Sequence, residues 1–562
     1  MVGLYDALTM SLVYFALLLG SLIFFHEFGH FIVARMCGVR VLEFSIGFGP
    51  QVGAFVRNGT IYRIGALPLG GYVKMLGADP LEEVPEEHEE GSFASKALWQ
   101  RTLIVLAGPV FNLILPLFVF FFLFLGQKEV NPAVLGTLQP EGVAARAGLL
   151  PGDVIKSVDG NSVEGWWELQ DLVGNSGGEV ISVVVERDGE DMPAVDLRPK
   201  LVTEVIAPEL GLEREVGRIQ IEIAYRQPIV MVAAGSAAEA SGLKDWDHIV
   251  AIDGAPAGRW EYVVRDLARS DKPVALTVLR EETLSGVAEG LATFGLSTYS
   301  APVEVTLQPK SGDGSLGLDS AEFYIYDVTP GSPEASAGIA RGDKILTLNG
   351  KQLSSWGLLI HEVKSAPDSV HTVELERAGE KRSVKLSFER HEHKGEFNTD
   401  ITSTIFGIVN RSAYGAPDLV PNTKRVSFAA YEMWSQTKRS FLVTAKSLAG
   451  LFTGDVGFKQ MGGPIFIYEV ASKTEEAGWV YFFNLMAWLS ISLGLINLVP
   501  IPLLDGGHLM FFAIEAIKRR PASLRTRQIA SYIGFSMIIV LMLLVFKNDI
   551  GRNWDRLVSI FL

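Results

Sequence analysis

The chain of 562 residues contains a single cysteine, Cys37, so an internal disulfide framework is excluded. Basic residues are not in excess: the net charge is −15, which argues against a nucleic-acid binder. The N-terminus has neither a basic n-region nor an A-x-A-like cleavage site, which predicts a retained membrane span and not a removed signal peptide. Charge is also missing locally, because no Asp, Glu, Lys or Arg occurs from Met10 to Phe25.

That uncharged stretch leads directly into an H-E-x-x-H pattern, His26-Glu27-Phe28-Gly29-His30. On a helix, residues i and i+4 share a face, so His26 and His30 can present two imidazoles to one metal ion. Glu27 lies about 100° around the helix from His26, where it can reach a water on the metal. This is the zinc arrangement in which the metal acidifies water and a carboxylate takes the proton. A lone His on an apolar helix is usually a satisfied core residue, whereas two His and a Glu at membrane depth are costly and are kept mainly for function.

Mean hydropathy is positive although 20% of the residues are charged, which predicts membrane spans joined to soluble domains. Four apolar segments are long enough to cross a bilayer; they lie at about 9–36, 103–125, 480–499 and 529–546. The loop between the last two carries five basic residues: Lys518, Arg519, Arg520, Arg525 and Arg527. Because short basic loops stay cytosolic, we expect both termini and the long region between spans two and three to be extracytoplasmic.

The Gly-rich region from Val39 to Leu76 contains alternating residues on either side of Asn58-Gly59, which predicts a β-hairpin. Two interpretations remain open for it. It is either a small surface sheet or a hairpin near the metal, with an edge that can pair with an extended substrate. The acidic stretch from Ala78 to Gly91 that follows is expected to be a solvated loop.

A sequence motif occurs three times between spans two and three. Its equivalent glycines are Gly148, Gly242 and Gly338, spaced by 94 and 96 residues, which is the size of a domain and not of a solenoid repeat. Each copy predicts a short helix, a Gly stop, an Asp-led turn, a buried strand and a tight turn. The second copy departs most, because Trp246 stands where the others have Gly before Asp.

Span three ends in Asn497-Leu-Val-Pro500-Ile-Pro502-Leu-Leu-Asp505-Gly. The two prolines must break the helix, and broken backbone at membrane depth survives only where it is buried in protein or lines a wet cavity. Asp505 is therefore a candidate third ligand, completing two His and one carboxylate with the fourth position open. His508 is a competing candidate, and an Asp-Gly pair is also an ordinary turn.

Together, the H-E-x-x-H pattern in span one, the N-x-x-P-x-P-x-x-D-G pattern in span three and the repeats between spans two and three resemble the site-2 protease family. The bacterial branch, the sigma-E regulator type, is the most similar. Further matching stretches lie at 47–50, 68–75, 107–112 and 461–465. The repeats themselves resemble PDZ domains of bacterial envelope proteases, which bind extended peptides by strand addition. Whether they recognise substrate or only restrict access is left open by the sequence.

The resemblance implies a multi-pass α-helical membrane protein of four spans with a membrane-associated β-hairpin and three extracytoplasmic PDZ-like α+β modules. The predicted segments are span one (1–38), the β-hairpin region (39–77), the acidic loop (78–102), span two (103–126), PDZ-like modules one (127–205), two (206–310) and three (311–395), a linker with amphipathic interfacial helices (396–479), span three (480–510), a basic cytoplasmic loop (511–528), span four (529–547) and an extracytoplasmic tail (548–562).

The resemblance further implies a zinc intramembrane endopeptidase of the bacterial cytoplasmic (inner) membrane. The implied site consists of one catalytic Zn2+ held by His26, His30 and Asp505, the general base Glu27, and the substrate-binding residues Asn497, Pro500 and Pro502. Implied substrates are single-span proteins such as anti-sigma factors, cut after an upstream site-1 protease, and remnant signal peptides. Two departures stand out: relatives have two PDZ domains, and Ser492 stands where a second Asn is frequent.

Two functions of other classes compete with the protease. A non-catalytic membrane adaptor would capture envelope proteins with its repeats and hold a structural metal in a closed site of four protein ligands. A metal transporter would need a chain of ligands along a pore and several more spans, which the sequence does not contain.

Overall fold

The computed structural model describes residues 2–78, 86–139, 141–207, 210, 212–223, 225–283, 298–308, 316–353, 355–366, 368–394, 400–411, 414–454, 457 and 461–552. Residues 79–85 of the predicted acidic loop and the tail from residue 553 therefore lie outside the described residues. The helices are α1 (Val2–Met36), α2 (Leu98–Leu125), α3 (Val143–Arg146), α4 (Trp166–Asn175), α5 (Ala237–Ala240), α6 (Trp260–Arg269), α7 (Pro333–Ser336), α8 (Trp356–Ser365), α9 (Arg425–Thr453), α10 (Pro464–Ser472), α11 (Thr474–Leu498), α12 (Asp505–Lys518) and α13 (Leu524–Arg552).

Four helices of the described chain are long and apolar enough to cross a membrane; the segments are Met10–Met36, Leu98–Leu125, Glu476–Leu498 and Leu524–Gly551. They correspond to the four predicted spans. Helix α2 begins five residues earlier than predicted, because its first turn is polar and hydropathy alone does not detect it. The side chain of Gln100 accepts a hydrogen bond from the backbone N–H of Ala97 (3.1 Å) at this end of the helix. Its internal prolines, Pro109 and Pro116, do not end the helix.

The centre of the helical part is α2, which packs against α1, α9, α11 and α12. A buried cluster joins three of these helices through Leu18 and Leu22 of α1, Leu115 of α2, and Phe482 and Met486 of α11. In the core of a water-soluble protein, burying side chains of this size contributes roughly 1.5–3 kcal/mol each. Within a membrane the gain comes instead from close packing.

The predicted hairpin is present as β1 (Val41–Arg57) and β2 (Thr60–Met75). Asn58 and Gly59 both have positive φ, 51° and 76°, as a two-residue primed turn requires. The hairpin also folds back on itself. Residues 43–46 pair with 61–64 on one side and with 71–74 on the other, while 51–57 pair with 60–65. The result is a sheet of four segments in which 71–75 forms one edge.

Between α2 and α9 the described chain forms short strands: β3 (Glu129–Val130), β4 (Val154–Val158), β5 (Asn161–Ser162), β6 (Ile181–Arg187), β7 (Glu190–Asp191), β8 (Val195–Leu197), β9 (Lys200–Ala207), β10 (Leu212–Arg218), β11 (Tyr225–Arg226), β12 (Val230–Val232), β13 (His248–Ile252), β14 (Ala255–Pro256), β15 (Val274–Thr283), β16 (Thr298–Leu307), β17 (Leu318–Ser320), β18 (Asp327–Val328), β19 (Lys344–Leu348), β20 (Lys351–Gln352), β21 (His371–Arg377), β22 (Glu380–Leu386), β23 (Glu389–Lys394), β24 (Asp400–Ile405), β25 (Ile408–Val409), β26 (Tyr414–Gly415) and β27 (Val420–Pro421).

These strands and six short helices form three repeat units with one element order. Each unit has a four-residue helix (α3, α5, α7), a five-residue strand (β4, β13, β19), a two-residue strand, a ten-residue helix (α4, α6, α8) and a long strand (β6, β15, β21). Each unit also has its own hydrophobic core. The equivalent core residues Ile155, Ile249 and Ile345 are all at most 2% exposed.

Each repeat unit is closed by a β-pairing that lies beyond its predicted boundary. Ile221 pairs with Leu138 in unit one, β17 pairs with β12 in unit two, and β25 pairs with β18 in unit three. The predicted ends at 205, 310 and 395 are therefore too early. The chain makes extra strands, such as the hairpin β9–β10, before it returns to close the sheet. The third closing strand falls in the region predicted to be a linker.

One salt bridge recurs at the same place in every unit. The aspartate of the Asp-led turn, 1% exposed in each case, accepts two hydrogen bonds from an arginine at or near the end of the long strand. The same guanidinium donates to the carbonyl of the glycine that stops the short helix. The pairs are Asp153–Arg187, Asp247–Arg280 and Asp343–Arg377. Bidentate, charge-assisted pairing fixes the turn in all three units.

The repeat region enters and leaves the helical part at one place. Strand β3 follows α2 and pairs with β27, which precedes α9, with Val130 opposite Val420. The backbone N–H of Asn422 also donates to the carbonyl of Lys128 (2.8 Å). We call this pair of strands the neck.

Candidate active site

Helices α1 and α2 approach each other unusually closely where the H-E-x-x-H pattern lies. A Cβ added to Gly29 would stand 2.5 Å from the carbonyl oxygen of Ala107, and one added to Gly108 would stand 2.3 Å from Nε2 of His30. Both positions therefore require glycine. The histidine side chains sit at this contact and are only 13% (His26) and 10% (His30) exposed.

The loop between α11 and α12 is the third part of the chain that contributes to the site. Helix α11 ends just before the two prolines, as predicted. Leu503 takes a left-handed φ of 92°. The two glycines after Asp505 have no room for a side chain: a Cβ on Gly506 would stand 2.2 Å from the carbonyl oxygen of Val499, and Gly507 is similarly crowded. The first turn of α12 thus packs directly on the loop, and this packing fixes Asp505 at the start of the helix.

The structure brings the three predicted ligands together. Oδ2 of Asp505 lies 3.2 Å from Nε2 of His26 and 3.6 Å from Nε2 of His30, and the two Nε2 atoms are 3.2 Å apart. Zinc bound tetrahedrally at about 2.0–2.1 Å has ligand atoms about 3.4 Å apart. The donor set therefore fits one Zn2+ and leaves a fourth position open. Within the described part of the chain, no other cluster of His, Cys, Asp and Glu has such spacing.

His508, the competing ligand, lines the same cavity but does not belong to this cluster. The cavity has a volume of about 800 Å³ and contains Glu27 and Asn497 beside the three candidate ligands. Pro500 and Pro502 do not line it. They shape the loop, and α13 packs against the loop so closely that Gly534 has no space for a Cβ next to the carbonyl of Pro502.

The sheet edge also reaches the cavity, since Gly71, Tyr72 and Val73 are part of its lining. A Cβ on Gly71 would stand 2.9 Å from Cγ of Glu27, so the edge strand runs directly beside the carboxylate. Among the described residues, 71–75 pair with the rest of the sheet on one side only. Of the two positions left open by the sequence, the structure places the hairpin beside the three candidate metal ligands.

Two contacts to the histidine rings escape sequence reasoning. Nδ1 of His30 lies 2.9 Å from the carbonyl oxygen of Ile104, and Nδ1 of His26 lies 3.1 Å from the amide of Asn112. These partners are separated by 74 and 86 residues along the chain. The only sequence signal was Asn112 itself, a polar residue in an otherwise apolar span.

Two imidazoles and a carboxylate, converging among helices apolar enough to span a membrane with a second carboxylate beside them, define a membrane metalloprotease. The family model described as Peptidase family M50 matches residues 14–541, and the chain belongs to this family, that of the site-2 proteases.

Individual relatives are similar over nearly the whole chain. The protease RseP of Yersinia pestis is 32% identical over 546 residues, covering 96% of this chain and 98% of that protein. The regulator of sigma-E protease RseP of Escherichia coli K12 is 31% identical over 551 residues, with the same coverage. A candidate zinc metalloprotease of Vibrio cholerae is 30% identical over 549 residues, again with 96% and 98% covered. A solved PDZ domain protein from Parabacteroides distasonis aligns with a TM-score of 0.13 at 11% identity, over 49% of this chain and 95% of that one; so low a score carries no argument about the fold.

Proposed function

We propose that this metalloprotease is a zinc-dependent intramembrane endopeptidase of a bacterial inner membrane that acts in regulated intramembrane proteolysis. Its substrates are single-span membrane proteins of the anti-sigma factor type and remnant signal peptides. An upstream site-1 protease first shortens the same substrate. The observation that carries the proposal is the spacing of 3.2–3.6 Å between the donor atoms of His26, His30 and Asp505.

In this proposal the three residues hold one Zn2+ with a position left for the reaction. A zinc ion at such a site supplies positive charge that polarises a peptide carbonyl and makes water more acidic. A closed structural site would need a fourth protein ligand, and His508 lies outside the cluster. The open position favours the protease over the adaptor.

Glu27 is the proposed general base. Its carboxylate removes a proton from the attacking water as the C–O bond forms at the scissile carbonyl. The C–N bond then breaks, and Glu27 returns the proton to the leaving amine nitrogen. Its place next to the candidate ligands, in the same cavity, supports this role.

The substrate must be extended at the cleavage site, because a helix hides its carbonyls in hydrogen bonds. We propose that the edge strand 71–75 pairs with the unwound segment, while Asn497, which lines the same cavity, binds the substrate backbone. Pro500 and Pro502 act by holding the loop that carries Asn497 and Asp505 in place. The position of the edge beside Glu27 supports this arrangement.

The three repeat units are proposed to be extracytoplasmic PDZ-like modules that select or gate substrates. Their shared element order and their recurrent Asp–Arg pair support a common origin. The basic residues at the end of α12, in the connection and in the first turn of α13 support a cytoplasmic position for this end of the two helices, and hence extracytoplasmic termini.

The test compares wild-type protein with Glu27→Gln in cells and in vitro on a single-span reporter, with Glu380→Gln at an exposed strand end as a matched control. Glu27→Gln should bind zinc with wild-type stoichiometry but abolish cleavage, and its substrates should accumulate uncut. The control should cleave normally. Cleavage by Glu27→Gln at the wild-type rate would refute the assignment of the base, and a wild-type protein without zinc would refute the site.

A further inference from the structure

One face of α2 is built against the two histidines. Ile104, Gly108 and Asn112 are spaced by four residues and therefore line up along this helix. Ile104 contacts His30 through its carbonyl, Gly108 leaves room for both rings, and Asn112 contacts His26. Three successive turns of α2 thus contact the two histidines of α1.

The two ring nitrogens of a metal-binding histidine have different tasks. When Nε2 faces the metal, Nδ1 carries the proton and must donate it to an acceptor. The partner of His30 meets this need, because a backbone carbonyl such as that of Ile104 can only accept, at 2.9 Å. The partner of His26 must therefore be an acceptor as well.

Asn112 is fully buried, with 0% of its surface exposed. Its Nδ2 faces Nδ1 of His26 at 3.1 Å, and its Oδ1 has no hydrogen-bond partner. A 180° rotation of the amide exchanges the two atoms in the same volume. In either orientation one of the two amide atoms has no partner. The choice of orientation therefore depends on whether Nδ1 of His26 donates or accepts. With Nε2 of His26 directed at Asp505 and His30, Nδ1–H must donate, and Oδ1 of Asn112 must accept.

Asn497 is the other amide near this nitrogen, but its Nδ2 is 3.5 Å away. It lines the cavity, whereas Asn112 does not. The roles are therefore separate: Asn497 is available to a substrate, and Asn112 faces only protein.

We infer that Asn112 is a positioning residue whose amide oxygen accepts the Nδ1–H of His26 and holds Nε2 toward the metal. The inference rests on the proposed zinc site. Together with the carbonyl of Ile104, it makes span two the element that orients both imidazole ligands, although span two itself supplies no ligand.

The experiment measures zinc affinity of the purified full-length protein by competition with a chelator, without any substrate. Asn112→Asp keeps an acceptor of the same shape and removes the donor, so its zinc affinity should stay within about threefold of wild type or exceed it. Asn112→Leu keeps the volume but removes the acceptor, so its affinity should fall roughly 10–100-fold, as for other outer-shell partners. The visible spectrum of the cobalt-substituted protein should change in Asn112→Leu and not in Asn112→Asp.

Ser490→Ala is the matched control, because Ser490 is equally buried and donates to the backbone carbonyl of Asn112 at 2.7 Å without touching the ring. Its zinc affinity should remain within about threefold of wild type. An equal loss in Ser490→Ala and Asn112→Leu would reduce Asn112 to a packing residue. A loss in Asn112→Asp would show that the amide donates, which overturns the inference. If Asn112→Leu fails to fold, Asn112→Asp decides alone. Absence of zinc from the wild type would instead remove the proposed function.

Discussion

The carboxylate of Asp549, near the end of span four, accepts a hydrogen bond from the backbone N–H of Gly463 at 2.9 Å. Its second oxygen accepts from Ile465 and Phe466, so one side chain caps the N-terminus of α10. Asp549 is 0% exposed. Free N–H groups and the positive end of the helix dipole both favour a carboxylate at this place. The contact ties span four to the segment that precedes span three.

Replacing Asp549 with Ala should lower the free energy of unfolding by about 1–3 kcal/mol, because buried N–H groups lose their acceptor. Asp549→Asn keeps one acceptor and should lose less. Thermal unfolding of the detergent-solubilised protein measures both. The neighbouring Ile550→Ala, at a residue 41% exposed, should change the midpoint little. Equal midpoints for Asp549→Ala and wild type would contradict the capping role.

The choice between Asp505 and His508 as third ligand can be decided by metal binding. Asp505→Ala removes a donor and should weaken zinc binding by more than the roughly 10–100-fold that loss of an outer-shell partner costs. His508→Ala should bind zinc like wild type. Metal content after dialysis against a chelator gives the answer. Equal loss in both variants would indicate a closed site of four ligands and would revive the adaptor.

The recurrent salt bridge predicts local instability in a chosen repeat unit. Arg280→Met leaves Asp247 buried without its guanidinium, and breaking a buried pair in this way costs about 3–5 kcal/mol. Limited proteolysis should then cut within unit two first. Arg265→Met removes a pair with Asp188 that is about half exposed and should cost at most about 1 kcal/mol. Similar protease resistance of both variants would contradict a structural role for the buried bridge.

We expect the stability of the repeat region to depend on pH through the buried side chain of Glu322. Burial raises the pKa of Glu322 to about 7, against the lowering effect of Arg226 (2.7 Å) and of the backbone N–H of Trp356, and the nearby Glu261 and Glu222 raise it further. Between pH 4.5 and 7, Glu322 is therefore protonated in the folded state and ionised in the unfolded state. The contribution of Glu322 to stability is fully present below pH 4.5 and is lost as the pH rises through 7, by an amount on the order of 3 kcal/mol.

Chemical unfolding of the full-length protein at pH 5 and pH 8 measures this slope. Glu322→Gln should flatten it, because the amide does not titrate in this range. Glu380→Gln, at an exposed position, should leave it unchanged. A wild-type protein more stable at pH 8 than at pH 5 would show that other groups outweigh Glu322.

Much of the candidate site follows from local sequence. The helical spacing of His26 and His30 puts them on one face, and the two prolines before Asp505 predict the broken backbone that carries it. Local patterns could not show that α2 approaches both rings, because the close contact at Gly108 depends on residues far apart in the chain.

The limits of the fold prediction have the same cause. Asn58-Gly59 predicted the hairpin turn, but the backfolding of the sheet depends on long-range pairing between 43–46 and 71–74. The closing segments of the repeat units are one to three residues long and follow other strands, so no periodicity marks them. Span two was predicted to start late because hydropathy does not register a polar first turn.

The departure of the second repeat has a structural reason. Trp246 adopts a φ of 71°, where the equivalent Gly152 and Gly342 have 96° and 89°. A left-handed non-glycine residue costs roughly 1–2 kcal/mol. Here the indole is 7% exposed and packs edge-on against Tyr326 of unit three at 5.1 Å, and the carbonyl of Trp246 accepts from Arg411 at 2.7 Å. The substitution joins unit two to unit three.

The neck bears on how such a chain can evolve. Because the polypeptide departs from α2 and comes back to α9 through adjacent strands, Glu129–Val130 and Val420–Pro421, everything beyond that point behaves as an insertion at a single locus. Gene duplication could lengthen the array by one module without changing the order or the packing of the helices. A further copy would enlarge the repeat region without displacing any residue of the candidate active site.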